Sequence, residues 1–284
     1  MSKILACLDA SSYAEGVCDL SAWAARQLSA PVQILHVLQR KSAVPARNDL
    51  TGAIGLGVKS ELLEELTRME EIESRIAIQA GRALLNAAAE RLTAAGVADV
   101  TVTHQHGGIV ETILELETDS RVLVMGKRGA SAHYARAHLG SKIERVVRAS
   151  KKPILIAPER VGDIKQTIIA YDGSASANRA LELGLESDLF EGMTIHVVMA
   201  GDDTARNRSE LEKVRSRLEK SDRSASVSLL PGSPEAVIPD YAGRHPDSIL
   251  VMGAYGHSPL RNLIVGSTTT AMIRTVSGPM LLIR

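Results

Sequence analysis

One pattern occurs twice in this chain, and it restricts the possible folds more than any other feature of the sequence. The second copy runs Ser248-Ile-Leu-Val-Met252, Gly253-Ala-Tyr-Gly256, nine further residues, then Gly266-Ser267-Thr268. The first runs Arg121-Val-Leu-Val-Met125, Gly126-Lys-Arg-Gly129, ten further residues, then Gly140-Ser141. A short apolar run bounded by glycine reads as a buried parallel strand. Each Gly-Ser pair opens a helical pattern, carried by Ile143, Val146 and Val147 in one copy and by Ala271 and Ile273 in the other. Each copy closes on a proline and an apolar run, Pro153 to Ala157 and Pro279 to Ile283.

Glycines at a strand end and at a helix start suit close approach of backbone to a ligand. The unpaired N–H groups of a helix start, with Ser267 and Thr268 beside them, suit phosphate. Glycines also mark ordinary turns in α/β proteins, and a single copy would leave the two readings level.

The duplication extends further. Lys3 to Leu8 is an apolar run that stops at Asp9, and Thr167 to Tyr171 stops in the same way at Asp172. Ser12-x-x-Glu15 has capping-box spacing, and Tyr13, Val17, Leu20, Ala24 and Leu28 follow at helical intervals. Pro31 to Val37 reads as a second strand, so the chain opens with a βαβ unit and a parallel sheet. His36-Val37 sets this strand beside Thr194 to Val198, which carries His196-Val197. In the first half, helices are expected over 60–95 and 110–117, with a strand over 99–106. In the second half, helices are expected over 211–218 and 237–242, with a strand over 226–230. Residues 158–164 read as a linker between domains 1–158 and 165–284. The repeat period of about 160 residues means duplication of a domain rather than a solenoid. Residues 39–60 carry prolines and glycines and read as a long mobile loop, a lid over the first pocket. Gly55-Leu-Gly57 lacks the third glycine and the preceding strand of a dinucleotide fingerprint.

The chain has 284 residues, with 33 Lys plus Arg against 33 Asp plus Glu. This balance argues against a nucleic-acid partner. One Phe, one Trp and five Tyr are too few for a base-stacking platform. No run approaches a membrane span or a signal peptide, so the expectation is a cytoplasmic protein without membrane insertion. Cys7 and Cys18 form no C-x-x-C pair and read as small buried residues.

In an open parallel sheet, ligands bind beyond the carboxyl ends of the strands where strand order reverses. If the first and fourth strands of a half are neighbours, Asp9 meets Gly126 and Asp172 meets Gly253. An adenosine fits there, with phosphates against Gly256, Gly266 and Ser267. The aspartates read equally well as charges favouring a helix N-terminus, worth about 0.3–1 kcal/mol. The chain has no Walker A loop and no Gly-x-Ser-x-Gly elbow. His104 and His106 alternate along a strand without a third metal ligand, and His36 and His196 read as structural. Lys127, Arg128, His257 and Arg261 suit phosphates or an ordinary charged surface.

These residues resemble the universal stress protein family, in its tandem form, over nearly the whole chain. Gly253, Gly256, Gly266 and Ser267 match the nucleotide-binding pattern of the family: Gly, two residues, Gly, nine residues, Gly, then Ser or Thr. The resemblance implies a doubly wound α/β domain in each half, a five-stranded parallel sheet in the order 3-2-1-4-5. It implies an ATP site, with or without Mg, at Asp172, the backbone of Val197, Gly253, Gly256, Gly266, Ser267 and Thr268. Asp9, Val37, Gly126, Gly129, Gly140 and Ser141 correspond in the first half, where the spacer is one residue longer.

The leading expectation is an ATP-binding stress-response module that signals through an unknown protein partner, with little or no hydrolysis. A homodimer is compatible with it. The alternative is a regulatory scaffold with one or both pockets empty. A true ATPase ranks third, because no general base or arginine finger is evident.

Overall fold

A computed structural model of the chain describes residues 2–39, 56–129, 141–221, 223–254 and 267–284. The first half runs β1 (Lys3–Leu8), α1 (Ala14–Leu28), β2 (Val32–Leu38), α2 (Leu56–Ala94) and β3 (Val100–His106). It continues with α3 (Ile109–Leu116), β4 (Ser120–Gly126), α4 (Ser141–Ala149) and β5 (Ile154–Ala157). The second half runs β6 (Gln166–Ala170), α5 (Ala175–Glu186), β7 (Thr194–Ala200), α6 (Ala205–Leu218) and β8 (Ala225–Leu230). It ends with α7 (Pro234–Gly243), β9 (Ser248–Gly253), α8 (Ser267–Thr275) and β10 (Met280–Ile283).

The apolar runs read as strands are strands because helices cover them on both faces. The ten strands form one sheet in the order β3-β2-β1-β4-β5-β10-β9-β6-β7-β8. Each half is therefore a parallel 3-2-1-4-5 sheet, as the motif order implied. The halves join where β5 and β10 pair antiparallel, Leu155 opposite Leu281. Every residue of these two short strands is buried. Pairing satisfies backbone groups that each half alone would leave at an open edge.

Side-chain alternation sorts the core onto the two faces. Ile4, Ala6, Ile34, Ile195 and Val197 pack with α1, α2, α5 and α6 in one cluster that spans both halves. Leu5, Cys7, Leu123, Leu250 and Val198 pack with α3, α4, α7 and α8 in the other. Fully burying an aliphatic side chain contributes about 1.5–3 kcal/mol. One further contact crosses the seam, and the linker packs on α1. The Gln27 amide donates to the Leu189 carbonyl at 3.2 Å. A Cβ on Gly16 would stand 1.8 Å from the Pro158 carbonyl oxygen, so the linker lies directly on the first turn of α1.

Several boundaries differ from the sequence expectation. The segment read as a loop over 39–60 turns helical at Leu56, and residues 40–55 lie outside the described residues. Leu56 opens a 39-residue helix in which Gly57 is tolerated. Ser12 does not cap α1. Tyr13 stands at the N-cap without a side-chain bond, and the Ser12 hydroxyl donates to Glu159 at 2.6 Å. Helix α6 begins six residues before Leu211, behind Thr204, whose hydroxyl accepts from the Asn207 amide at 3.1 Å. Its first turns face solvent, so apolar periodicity does not report them.

Candidate functional site

Both halves build the same corner at the end of their first strand. Asp9 Oδ1 accepts from the Ser11 amide at 3.2 Å, and Asp172 Oδ1 accepts from the Ser174 amide at 2.9 Å. Each aspartate thereby folds the chain toward the following helix, a local side-chain turn typical of this residue. Ser174 then caps α5, accepting from the Ala177 amide at 3.1 Å.

The first and fourth strands of each half are neighbours, as the crevice requires. Cys7 pairs with Met125, which sets Gly126 one step beyond and level with Leu8. Ala170 pairs with Met252, which sets Gly253 level with Tyr171. The two glycines have the same neighbour in the repeat, four residues after the aspartate. A Cβ on Gly126 would stand 2.6 Å from Tyr13 Cβ, and one on Gly253 would stand 2.5 Å from Ser176 Oγ. Glycine at these positions lets the strand end close on the helix start. Gly129 is different. A Cβ there would stand 2.8 Å from Asp9 Oδ2, so this glycine keeps open the space beside the carboxylate.

Ser141 and Ser267 are the first residues of α4 and α8. Thr268 follows, and its hydroxyl donates to Glu235 at 2.6 Å, which lowers the pKa of that carboxyl below its ordinary value. Gly140, Gly256 and Gly266 lie outside the described residues.

The equivalence of Val37 and Val197 does not hold. Leu8 pairs with His36, so Asp9 is level with Val37. Ala170 pairs with Val198, so Asp172, two residues on, is level with Ala200. Val197 is mid-strand, fully buried, and packs on the face of α5 and α6, whereas Val37 packs on the face of α3. The register offset of three residues is odd, and an odd offset reverses the face of every side chain. Ala200 is the counterpart of Val37. The same offset separates the histidines. His36 lies beside His104 under α2, with ring centroids 5.4 Å apart and the rings tilted, whereas His196 meets Tyr241 of α7 at 6.1 Å. His104 and His106 share a face, 6.4 Å apart. Among the described residues no cluster of three His, Cys, Asp or Glu is placed to hold a metal ion.

Comparison with known proteins decides the family. Residues 1–158 and 164–284 each match the model of the universal stress protein family. A universal stress protein of Synechocystis is 35% identical over 291 residues, covering 100% of both chains. The chain belongs to the universal stress protein family. A crystal structure of a family member from Archaeoglobus fulgidus superposes with a TM-score of 0.68 at 21% identity, over 99% of this chain and 98% of that one. A Pseudomonas aeruginosa protein gives 0.66 at 16% identity, over 100% and 93%. These two likenesses concern the fold. Among the described residues no helix is long and apolar enough to cross a membrane.

Two features of this corner were not read from the sequence. Lys127, inside the first glycine turn, is only 9% exposed. Burial, with Arg128 beside it, pulls its pKa down from 10.5 to about 8. Glu235 reaches Thr268 from the first turn of α7. Neither residue has a partner that sequence spacing reveals.

Proposed function

We propose that this family member binds an adenine nucleotide, ATP in the first instance, and acts in the stress response by binding and signalling rather than by turnover. One observation carries the reading: the Asp9–Gly129 corner sits at the reversal of strand order, with a glycine where any side chain would close on the carboxylate. Ligands of open parallel sheets bind at that reversal. Helices α4 and α8 start at the Gly-Ser pairs, where free N–H groups favour phosphate. Asp172, Gly253, Gly256, Gly266, Ser267 and Thr268 form the corresponding set in the second half, with Ala200 in place of Val197 at the strand end. The Thr268 hydroxyl is engaged by Glu235, so backbone donors carry the phosphate contact there. Mg2+ would ride on phosphate oxygens and water, as it does where few carboxylates are offered.

Mass spectrometry of small molecules released from the purified protein, followed by calorimetry with ATP on stripped protein, tests the reading. Gly266→Val and Gly129→Val should each weaken binding at their own half at least tenfold, about 1.4 kcal/mol. Ser267→Ala should cost less, because the backbone donors remain. No heat with ATP on stripped wild type, or unchanged binding by folded glycine variants, refutes it.

A further inference from the structure

Where the two halves meet, a cavity of about 500 Å³ opens between the first glycine turn, the linker and the end of α8. Its walls carry Lys127, Arg128, Arg160 and Arg274, and a single carboxylate, Glu159, that already accepts from Ser12. Among the described residues, no ion pair joins a carboxylate to Arg128, Arg160 or Arg274. The negative pole of α8 also faces this space, and Lys127 caps it by donating to the Val276 carbonyl. That sets three guanidinium groups, none in an ion pair among the described residues, against one carboxylate in one concave site. Sites of roughly 300–1,000 Å³ hold small ligands, and guanidinium forks match planar or tetrahedral oxyanions.

We propose that this seam cleft, which adjoins the first glycine turn on its seam side, is a binding site for a small multivalent oxyanion. Arg160 and Arg274 come from the linker and from α8, outside both motifs, so they hold the ligand without belonging to a nucleotide site. The anion bridges the two halves, since its partners come from both sides of the β5–β10 seam. Bound there, it also stabilises the charged form of Lys127, which lines the cleft with Tyr13, Arg128, Glu159, Arg160 and Arg274. The lysine pKa of about 8 then rises. At pH 8 binding takes up protons, and the measured heat changes with the ionisation enthalpy of the buffer.

The experiment is calorimetry of full-length protein with inorganic pyrophosphate and, separately, with citrate, at pH 8 and constant ionic strength in two buffers. Arg160→Gln/Arg274→Gln, whose guanidinium groups are exposed, should weaken binding at least tenfold while ATP binding is kept. Gly140→Val and Gly266→Val should bind the anion as wild type does. Lys127→Met should abolish the buffer dependence. Preference for pyrophosphate marks phosphate-bearing ligands, and preference for citrate marks polycarboxylates. If wild type takes up pyrophosphate but shows no heat with ATP, the seam site stands and the nucleotide reading falls. Wild-type affinity in the double arginine variant overturns the proposal, as does loss of anion binding in the glycine variants alone. No heat with either anion on wild type also overturns it.

Discussion

The Lys127 ammonium donates to the main-chain carbonyl of Val276, one residue past the end of α8, and 149 positions separate the two in sequence. Its counterpart runs the other way. Arg284 Nη1 donates to the Arg148 carbonyl at 2.7 Å, in the last turn of α4. Each half thus sets a cation on the negative end of the helix that starts at the Gly-Ser pair of the other. A cation in this position typically contributes about 0.3–1 kcal/mol.

Lys127 makes stability depend on alkaline pH. Its folded pKa, about 8, lies below the ordinary value of 10.5, so above pH 8 the folded state sheds a proton that the unfolded state keeps. Stability therefore rises with pH across that window. Denaturant midpoints at pH 7 and pH 10 should show a contribution of this sign in wild type that Lys127→Met lacks. An identical pH dependence in the two proteins would show that the lysine is not perturbed.

Gly253 is a packing glycine. A Cβ there would meet Ser176 Oγ at 2.5 Å and the Ser176 carbonyl carbon at 2.8 Å, so α5 must move. Gly253→Ala should destabilise by about 1–3 kcal/mol, the usual cost of overpacking. Gly162→Ala, where nothing lies within 4 Å, is the matched control and should change little. Equal midpoints in urea for the two variants would contradict the close approach.

Two histidines make the fold acid-sensitive. Desolvation, then the charges of His36, His106 and Arg82, lowers the pKa of His104 from 6.5. Desolvation, then His245, lowers that of His196, with Asp247 opposing. The unfolded chain protonates first as pH falls, so stability is lost from about pH 6.5 downward toward the folded values. His104→Gln should lose less stability than wild type between pH 7 and pH 5, measured by denaturant titration. A larger loss would reverse the assigned sign.

The seam should fail visibly when the halves are separated. Residues 165–284 alone would expose the edge of β10, a wholly buried apolar strand. Such edges pair with one another. Light scattering of the fragment should give dimers or larger species, and a stable monomer would argue that β10 needs no partner.

The reading of the fold was possible because its signals are local. Runs such as Ile154–Ala157 are uninterrupted apolar strands, and β1 and β4 are neighbours, with Gly126 level with Leu8, the residue before Asp9. The equivalence of Val197 with Val37 failed for a reason equally physical. His-Val recurs in both second strands, but β7 continues through Met199 and Ala200, and register follows ladder pairing rather than dipeptide identity. Ser12 failed as a cap because a carboxylate far along the chain, Glu159, takes its hydroxyl. The Lys127–Val276 bond spans the halves, and no periodicity within either half encodes it.

The antiparallel seam decides where the crevices point. Strands β1, β4 and β5 run parallel to one another, as do β6, β9 and β10, and the two sets oppose each other at β5–β10. The carboxyl ends of the first set therefore lie on one rim of the sheet and those of the second set on the other. Asp9 and Asp172 look toward opposite poles, separated by at least the length of a strand, roughly 20 Å. A flat partner docked over one crevice leaves the other uncovered. Any single surface that covers both must reach around the sheet.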